Sequence, residues 1–502
     1  MADSPPLLSN SAPSSDLANN GFRWSQVLQV ILISMASFFE AQQTFITIFT
    51  DAKPSWHCTQ NADAICNSQS NICQLPPDSW QWDKPASTSI ISEWSLQCTS
   101  SQVVAGLPSS SFFVGSLLGG LILSFHGDSL GQKKLLVLSC LTMSIASVSI
   151  AFSRNIWDYS VLRMLSGFGH AAIGSCVLVL STESVGKDWR SQVGIIGLFC
   201  SIFGFLSLPT IAYFDRSYSW RTLYFLTSIP ATIYSMVIQL FVYEPAKWLL
   251  RQGKIPESLA VLNIDIDPNS NYTLSFSMVN SNQKRRQKVD SDRSLMGTLL
   301  KDRYIFQQLT LAMLVGFGIG VIYYGMPVGV GNLDFDLYLS IAFNAMLETP
   351  SAVMIYLVKC RRRSLLLALA TISCACGITS IMVGRGLRIG LEVTSFFSSC
   401  VVFNLLLIYT VELLSISTRL STLSKAWQAI MLSGAISPLA IAVGGDSIKI
   451  LLHLLGVLVL ILGSLVIFVQ ETSMSGTLSV TLDEQQQEQE EEHDGSNLSI
   501  QV

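Results

Sequence analysis

Apolar residues run through this chain in blocks of about twenty, separated by short polar stretches. They do not form the one-sided stripe of a surface helix or the alternation of a strand. Crossing about 30 Å of hydrocarbon at about 1.5 Å per residue takes roughly 20 residues. Blocks of that size read at 25–49, 102–125, 134–153, 157–181, 191–214 and 221–243. After a polar gap they resume at 304–326, 336–358, 364–384, 389–414, 421–444 and 448–470. The pattern predicts an all-α polytopic membrane protein of twelve transmembrane helices in two six-helix halves, 25–243 and 304–470. Residues 1–24 form a Ser-, Pro- and Asn-rich tail, 244–303 a polar basic linker, and 471–502 an acidic tail.

Composition agrees with this reading. Of 502 residues, 50% are hydrophobic and only 13% charged, where a soluble chain carries about 25% charged. Mean hydropathy is +0.46. The net charge of −4 hides an asymmetry, because acid gathers in Asp483–Asp494 and base in the interior loops. No basic nucleic-acid stripe, phosphate-cradling loop or metal-spaced Cys/His set is visible, so no cofactor, metal or nucleic-acid partner is expected. No nucleophile–base–orienter set suggests an enzyme. The first residues have neither a basic region nor an apolar stretch of the kind a cleaved signal needs. With both termini cytosolic, 21 of the 30 Lys and Arg fall on cytosolic segments and eight on exoplasmic loops, leaving Arg163 inside a span. That split predicts cytosolic termini.

The long loop 50–101 is then exoplasmic and holds Cys58, Cys66, Cys73 and Cys98. Four cysteines in an oxidising compartment predict two disulfides, with three pairings open. The two halves also repeat a charge pattern. Glu183 and Arg190 are seven apart, as are Glu412 and Arg419, and both members are offset by 229 residues; Glu244 and Glu471 are offset by 227. Matching charges at the cytosolic ends of two parallel repeats suit a rocking transporter, where pairs break as that side opens. Between helices 2 and 3, Gly131 supplies the positive φ that a tight connection needs. Asp128 beside it is placed to accept from a helix N-terminus or a nearby base.

Asp128–Lys133 resembles the helix 2–3 loop motif of the major facilitator superfamily, and the Glu–Arg pairs resemble its charge motifs. The stretches Ser92–Cys98, Glu244 with Lys247-Trp248-Leu249, and Glu471-Thr472 narrow the resemblance to organic cation/carnitine transporters. Ala41–Phe45, Tyr323–Pro327 and Gly331–Phe335 are similar to the plant members. The likeness covers roughly 24–475 and implies the major facilitator fold, alternating access, and small organic cations or carnitine-like zwitterions as solutes. Ser129 and Gln132 stand where the family usually has basic residues, Pro245-Ala246-Lys247 replaces its Ser-Pro-Arg, and the second-half loop copy, Lys359-Cys360, lacks the acid. A sugar or organic-anion porter of the same fold shares the charge pairs and stays open as an alternative. A receptor or scaffold that has lost transport is another.

Ionisable groups inside a span cost at least about 2.5 kcal/mol on insertion scales, so each is a site candidate. Three stand out: Glu40 in helix 1, Arg163 in helix 4 and Glu348 in helix 8. The resemblance places Glu348 on an acid kept by cation-transporting relatives, and Met431 where their second acid stands. Tyr323 and Tyr324 in helix 7 offer aromatic faces to alkylammonium groups. His170 lies seven residues after Arg163, on the same helical face. Glu40 and Arg163 sit at similar depth, which predicts a proton-coupling pair between helices 1 and 4. Asp3, Leu7 and Leu8 fit an acidic dileucine motif read by sorting adaptors, placing the vacuolar membrane ahead of the plasma membrane.

Overall fold

The computed structural model describes residues 24–59, 66, 72–98, 103–185, 189–245, 249, 310, 313–321, 323–324, 337–357, 362–383, 385–412 and 419–444. Six helical spans among these are long and apolar enough to cross a membrane: Gln26–Thr50, Gly106–Leu123, Gln132–Ile150, Ile156–Glu183, Val193–Phe214 and Trp220–Phe241. They stand where the first six apolar blocks predict them. We label the elements α1 (Trp24–Phe45), α2 (Thr47–Thr50), α3 (Ile90–Glu93), α4 (Val103–Leu130), α5 (Gln132–Ile150), α6 (Ile156–His170), α7 (Ile173–Glu183), α8 (Arg190–Phe214) and α9 (Trp220–Phe241). In the second half come α10 (Leu337–Leu357), α11 (Arg362–Met382), α12 (Arg385–Glu412) and α13 (Arg419–Gly444). Of the block predicted at 304–326, residues 313–321 are helical. The block at 448–470 lies outside the described residues, as do Asp3, Leu7, Leu8 and Glu471.

Two spans are interrupted, and both interruptions matter for the site. Helix 1 breaks at Ile46, between α1 and α2, and helix 4 breaks at Ala171–Ala172, between α6 and α7. A break leaves carbonyls without helical donors, so side chains can take them. Outward faces are apolar, with Leu121, Phe214, Ile233 and Leu240 exposed, as a lipid-facing surface requires. Helices α4 and α6 approach backbone to backbone. A Cβ on Gly115 would run into the Met164 carbonyl, and one on Gly167 into that of Phe112. One apolar core joins the halves, with Phe45, Phe112, Phe113 and Phe205 on one side and Ile319, Tyr324, Ile341 and Ile430 on the other.

The segment 50–101 carries a two-stranded antiparallel hairpin, β1 (Trp56–Cys58) paired with β2 (Trp80–Trp82). The expected disulfides form as Cys58–Cys66 and Cys73–Cys98. Its base is fastened to the helices by Glu93, which accepts from Trp220 Nε1 at 2.7 Å and Arg221 Nη1 at 2.6 Å. Arg221 Nη2 also donates to the Ser153 carbonyl at 3.1 Å. Trp94 packs edge-on against Tyr159 and Trp220.

Gly131 takes φ 89° between α4 and α5, as the tight connection predicts. Asp128, expected in that loop, instead lies within the last turn of α4, which runs to Leu130. The acid at the N-terminus of α5 is Glu244. Its carboxylate accepts from the backbone N–H of Lys133 at 3.1 Å and of Lys134 at 3.3 Å, two of the donors a helix start leaves without intrahelical partners.

Candidate functional site

Three polar centres stand out among the described residues, two inside spans and one just beyond the end of helix 1. In the first half, Glu40 and His170 are both buried and face each other, with His170 Nε2 at 3.2 Å from Glu40 Oε1. His170 Nδ1 lies 3.0 Å from Ser116 Oγ of α4. The imidazole therefore bridges helices 1, 2 and 4, a carboxylate on one nitrogen and a hydroxyl on the other. His170 is the last residue of α6, and the break after it lets α7 bring Gly174 against the same carboxylate, where a Cβ would lie 3.5 Å from Oε1.

The expected Glu40–Arg163 pair is absent. Arg163 Nη1 donates to the Gln43 carbonyl at 2.9 Å, a group freed because α1 ends two residues later. A guanidinium at that C-terminal end is favoured by the helix dipole. The guanidinium carbon stands 4.4 Å above the Phe112 ring. The same ring packs 5.0 Å from His170, so Phe112 lies between the guanidinium and the imidazole. Arg163 Nε and Nη2 have no hydrogen-bond partner. The break at Ile46 gives the guanidinium a main-chain acceptor in place of the expected carboxylate.

In the second half, Glu348 of α10 is buried, and its Oε1 accepts from the Tyr323 hydroxyl at 2.7 Å. Tyr323 stacks nearly parallel on Phe403 at 4.6 Å and lies parallel to Phe396 at 6.2 Å. Tyr324 meets Phe113 at 4.7 Å and Phe45 at 6.1 Å, and Phe45 stacks on Phe205 at 4.2 Å. An aromatic wall thus crosses the seam between the halves with one carboxylate behind it. Met431 is buried in the same core.

The third centre escaped the sequence reading. Asp51, just beyond α2, lies against Thr50, Tyr159 and Tyr224 beneath the disulfide-linked segment. Gln42 and Gln43 tie α1 to its neighbours. Gln42 Nε2 donates to Ser207 at 2.8 Å, and Gln43 Nε2 to Thr227 at 3.1 Å and Ser228 at 3.2 Å. A signal existed in the glutamine pair itself, since amides inside a span need partners. The charge motifs fall at equivalent places in the two halves. Glu183 ends α7 and Arg190 starts α8; Glu412 ends α12 and Arg419 starts α13. The side chains of Asp128, Arg190, Glu412 and Arg419 lie outside the described residues.

Comparison with known proteins agrees with this architecture. Residues 35–487 match the family described as sugar (and other) transporter. The chain is 44% identical over 481 residues to organic cation/carnitine transporter 3 of Arabidopsis thaliana, covering 93% of this chain and 91% of the relative. It is 42% identical over 489 residues to organic cation/carnitine transporter 2 of the same plant, covering 93% and 92%. Among solved structures, the proton:xylose symporter XylE bound to 6-bromo-6-deoxy-D-glucose superposes with a TM-score of 0.63 at 14% identity, over 90% of this chain and 97% of that one. An inward-open form of XylE from E. coli gives 0.61 at 13% identity, over 89% and 97%. At those identities the likeness is of fold.

Proposed function

The chain belongs to the organic cation/carnitine transporters within the sugar (and other) transporter family, an integral membrane group with the major facilitator fold, and from that premise we propose what it carries and how. It is a secondary transporter of small organic cations or carnitine-like zwitterions, working by alternating access and driven by protons. The observation that carries the substrate class is Glu348 behind the stacked Tyr323–Phe403 pair at the seam between the halves. A carboxylate supplies a counter-charge, and aromatic faces attract alkylammonium groups by about 0.5–2 kcal/mol each. The test is uptake in transport-deficient cells given tetraethylammonium, carnitine, a polyamine, glucose and an organic anion. Accumulation of a cation or zwitterion supports the reading, and accumulation of glucose or the anion alone sinks it. The anion alternative has one observation in its favour, the two unpartnered nitrogens of Arg163. Binding without uptake would mark a receptor.

Proton coupling is assigned to Glu40 with His170, supported by their contact inside the bilayer. Halves 25–243 and 304–470 rock about the seam, and Glu183–Arg190 and Glu412–Arg419 hold the cytosolic side closed. Neutralising Arg190 or Arg419 then raises labelling of the central wall from the cytosol; wild-type labelling in both variants counts against the gate. Both termini are cytosolic, and the Asp3-Leu7-Leu8 motif directs the protein to the vacuolar membrane ahead of the plasma membrane through a sorting adaptor. An unchanged location of a tagged Leu7→Ala/Leu8→Ala variant shows the motif to be inert.

A further inference from the structure

The Asp51 centre has no part in the reading above, and its atoms are mismatched in a particular way. Asp51 closes α2, its N–H bonded to the Thr47 carbonyl at 2.9 Å. Its Oδ1 accepts from the Thr50 hydroxyl at 2.8 Å and the Tyr159 hydroxyl at 3.0 Å. Tyr159 gives its single proton to Asp51, so in its 2.8 Å contact with Tyr224 the donor is Tyr224. Every neighbouring hydroxyl is thereby directed, straight or through Tyr159, toward Oδ1. Oδ2 is sealed from solvent and takes no bond. One helical turn deeper on α6 than Tyr159 stands Arg163, fully buried, with Nε and Nη2 unpartnered. An acceptor lacking donors lies near a cation with two donors to spare. Sealed polar groups of this kind are costly singly and are rarely left unmade.

We propose that Asp51 is a proton-exchanging residue at the entrance under the disulfide-linked segment, and that Arg163 is its alternate partner. In the state described, Oδ2 holds a proton. In the opposite state the O–H bond breaks, the proton passes to water on that side, and the carboxylate accepts from Nε and Nη2 of Arg163. Arg163 leaves the Phe112 face and keeps its charge throughout. This rests on the reading of the chain as a proton-driven porter and adds a second proton site to Glu40–His170.

The groups around Asp51 fit the assignment. From α6 they are Arg163 and Tyr159, and from α9 Tyr224; Glu93 and Arg221 above are closed on each other. Burial is the largest influence on the Asp51 carboxyl and raises it from 3.8 to about 7, against the lowering effects of the Thr50 hydroxyl, the Arg163 charge and the Tyr159 hydroxyl. An acid raised in one state favours that state at low pH. The preference is full below about 4 and is lost as pH rises through about 7. Acid on the entrance side therefore loads Asp51, and a neutral opposite side releases it into the Arg163 pair.

The experiment uses the full chain in proteoliposomes, with labelled tetraethylammonium and carnitine as probes and infrared difference spectra on pH jumps, which need no substrate. In Asp51→Asn, counterflow should persist while pH-driven accumulation falls at least about tenfold. The protonated-carboxyl band that the wild type gains between about pH 8 and 6 should lose the part that Asp51 contributes, read as the wild-type minus Asp51→Asn difference. Tyr159→Phe removes a donor to the carboxylate, disfavours the charged form, and should move the band's midpoint up by about one pH unit. If Asp51→Asn accumulates as wild type with its band intact, while Glu40→Gln does not accumulate, the outer site is wrong and proton coupling stands. If the wild type ignores the gradient, the coupling reading fails, and the Asp51 band alone then upholds or overturns proton exchange there. Should Asp51→Asn fail to fold, an unmoved midpoint in Tyr159→Phe overturns the proposal.

Discussion

Among the described residues each half of the molecule buries one carboxylate near mid-span, and the two are furnished differently. Glu40 has an imidazole at 3.2 Å, itself held by Ser116, with a guanidinium on the far side of Phe112. Glu348 has a phenol at 2.7 Å and parallel aromatic rings, and its nearest described bond partner is neutral. The proton role proposed for the first acid rests on its imidazole partner and on the guanidinium beyond Phe112. A neutral aromatic setting gives the second acid no cationic partner among the described residues, so under the proposed reading an arriving organic cation supplies its counter-charge. The proposed division of labour between the halves follows from the neighbours and not from the acids.

That comparison can be broken by exchanging what each acid does. The largest effect is expected from Glu348→Gln. Losing a buried counter-charge costs about 2–5 kcal/mol, so KM for a cationic solute should rise at least about thirtyfold. The pH dependence of uptake should stay as in wild type; a lost pH dependence with unchanged KM would reverse the roles. Glu40→Gln is next. Concentrative uptake under a pH gradient should fall about tenfold while solute exchange and KM hold, since proton transfer groups contribute at least this much where they act. Unchanged concentrative uptake in this variant means that Glu40 is a structural acid.

Tyr323→Phe sharpens the second half. It keeps the stack on Phe403 and loses only the hydroxyl bond to Glu348. A bond to a charged group is worth about 1.5–3 kcal/mol, part of which a bound cation replaces, so KM should change by less than about tenfold. A change as large as that of Glu348→Gln would assign the binding to the hydroxyl. The smallest effect belongs to His170→Gln. It preserves a polar contact to Glu40 but changes the group facing that carboxyl, so the pH optimum of uptake should move by about one unit with little change in maximal rate. An unmoved optimum would make His170 a packing residue.

The spans were legible because hydrocarbon leaves the chain little choice: backbone groups must be satisfied within the segment, so apolar length predicts helix. Glu40, Arg163 and Glu348 were legible as charges with no cheap place in lipid. Their partners were not. Arg163 bonds the Gln43 carbonyl because α1 breaks at Ile46, and His170 reaches Glu40 from the last residue of α6. Helical spacing carries no information on where a helix stops. Asp51 was missed because a span read as ending at residue 49 assigns it to a loop, where a carboxylate needs no explanation. Four cysteines gave the number of disulfides; the β1–β2 hairpin, built from two three-residue strands, was invisible to periodicity.

The Glu244 contact leads to a different kind of consequence. It joins the end of one helix to the start of another through main-chain N–H groups at Lys133 and Lys134, with no basic side chain required. A latch of that sort is indifferent to spelling. Side chains at Lys133 and Lys134 can be exchanged while the mechanical coupling between the two helices is kept. One residue type alone is shut out of positions 133 and 134, and it is proline, which has no N–H to give.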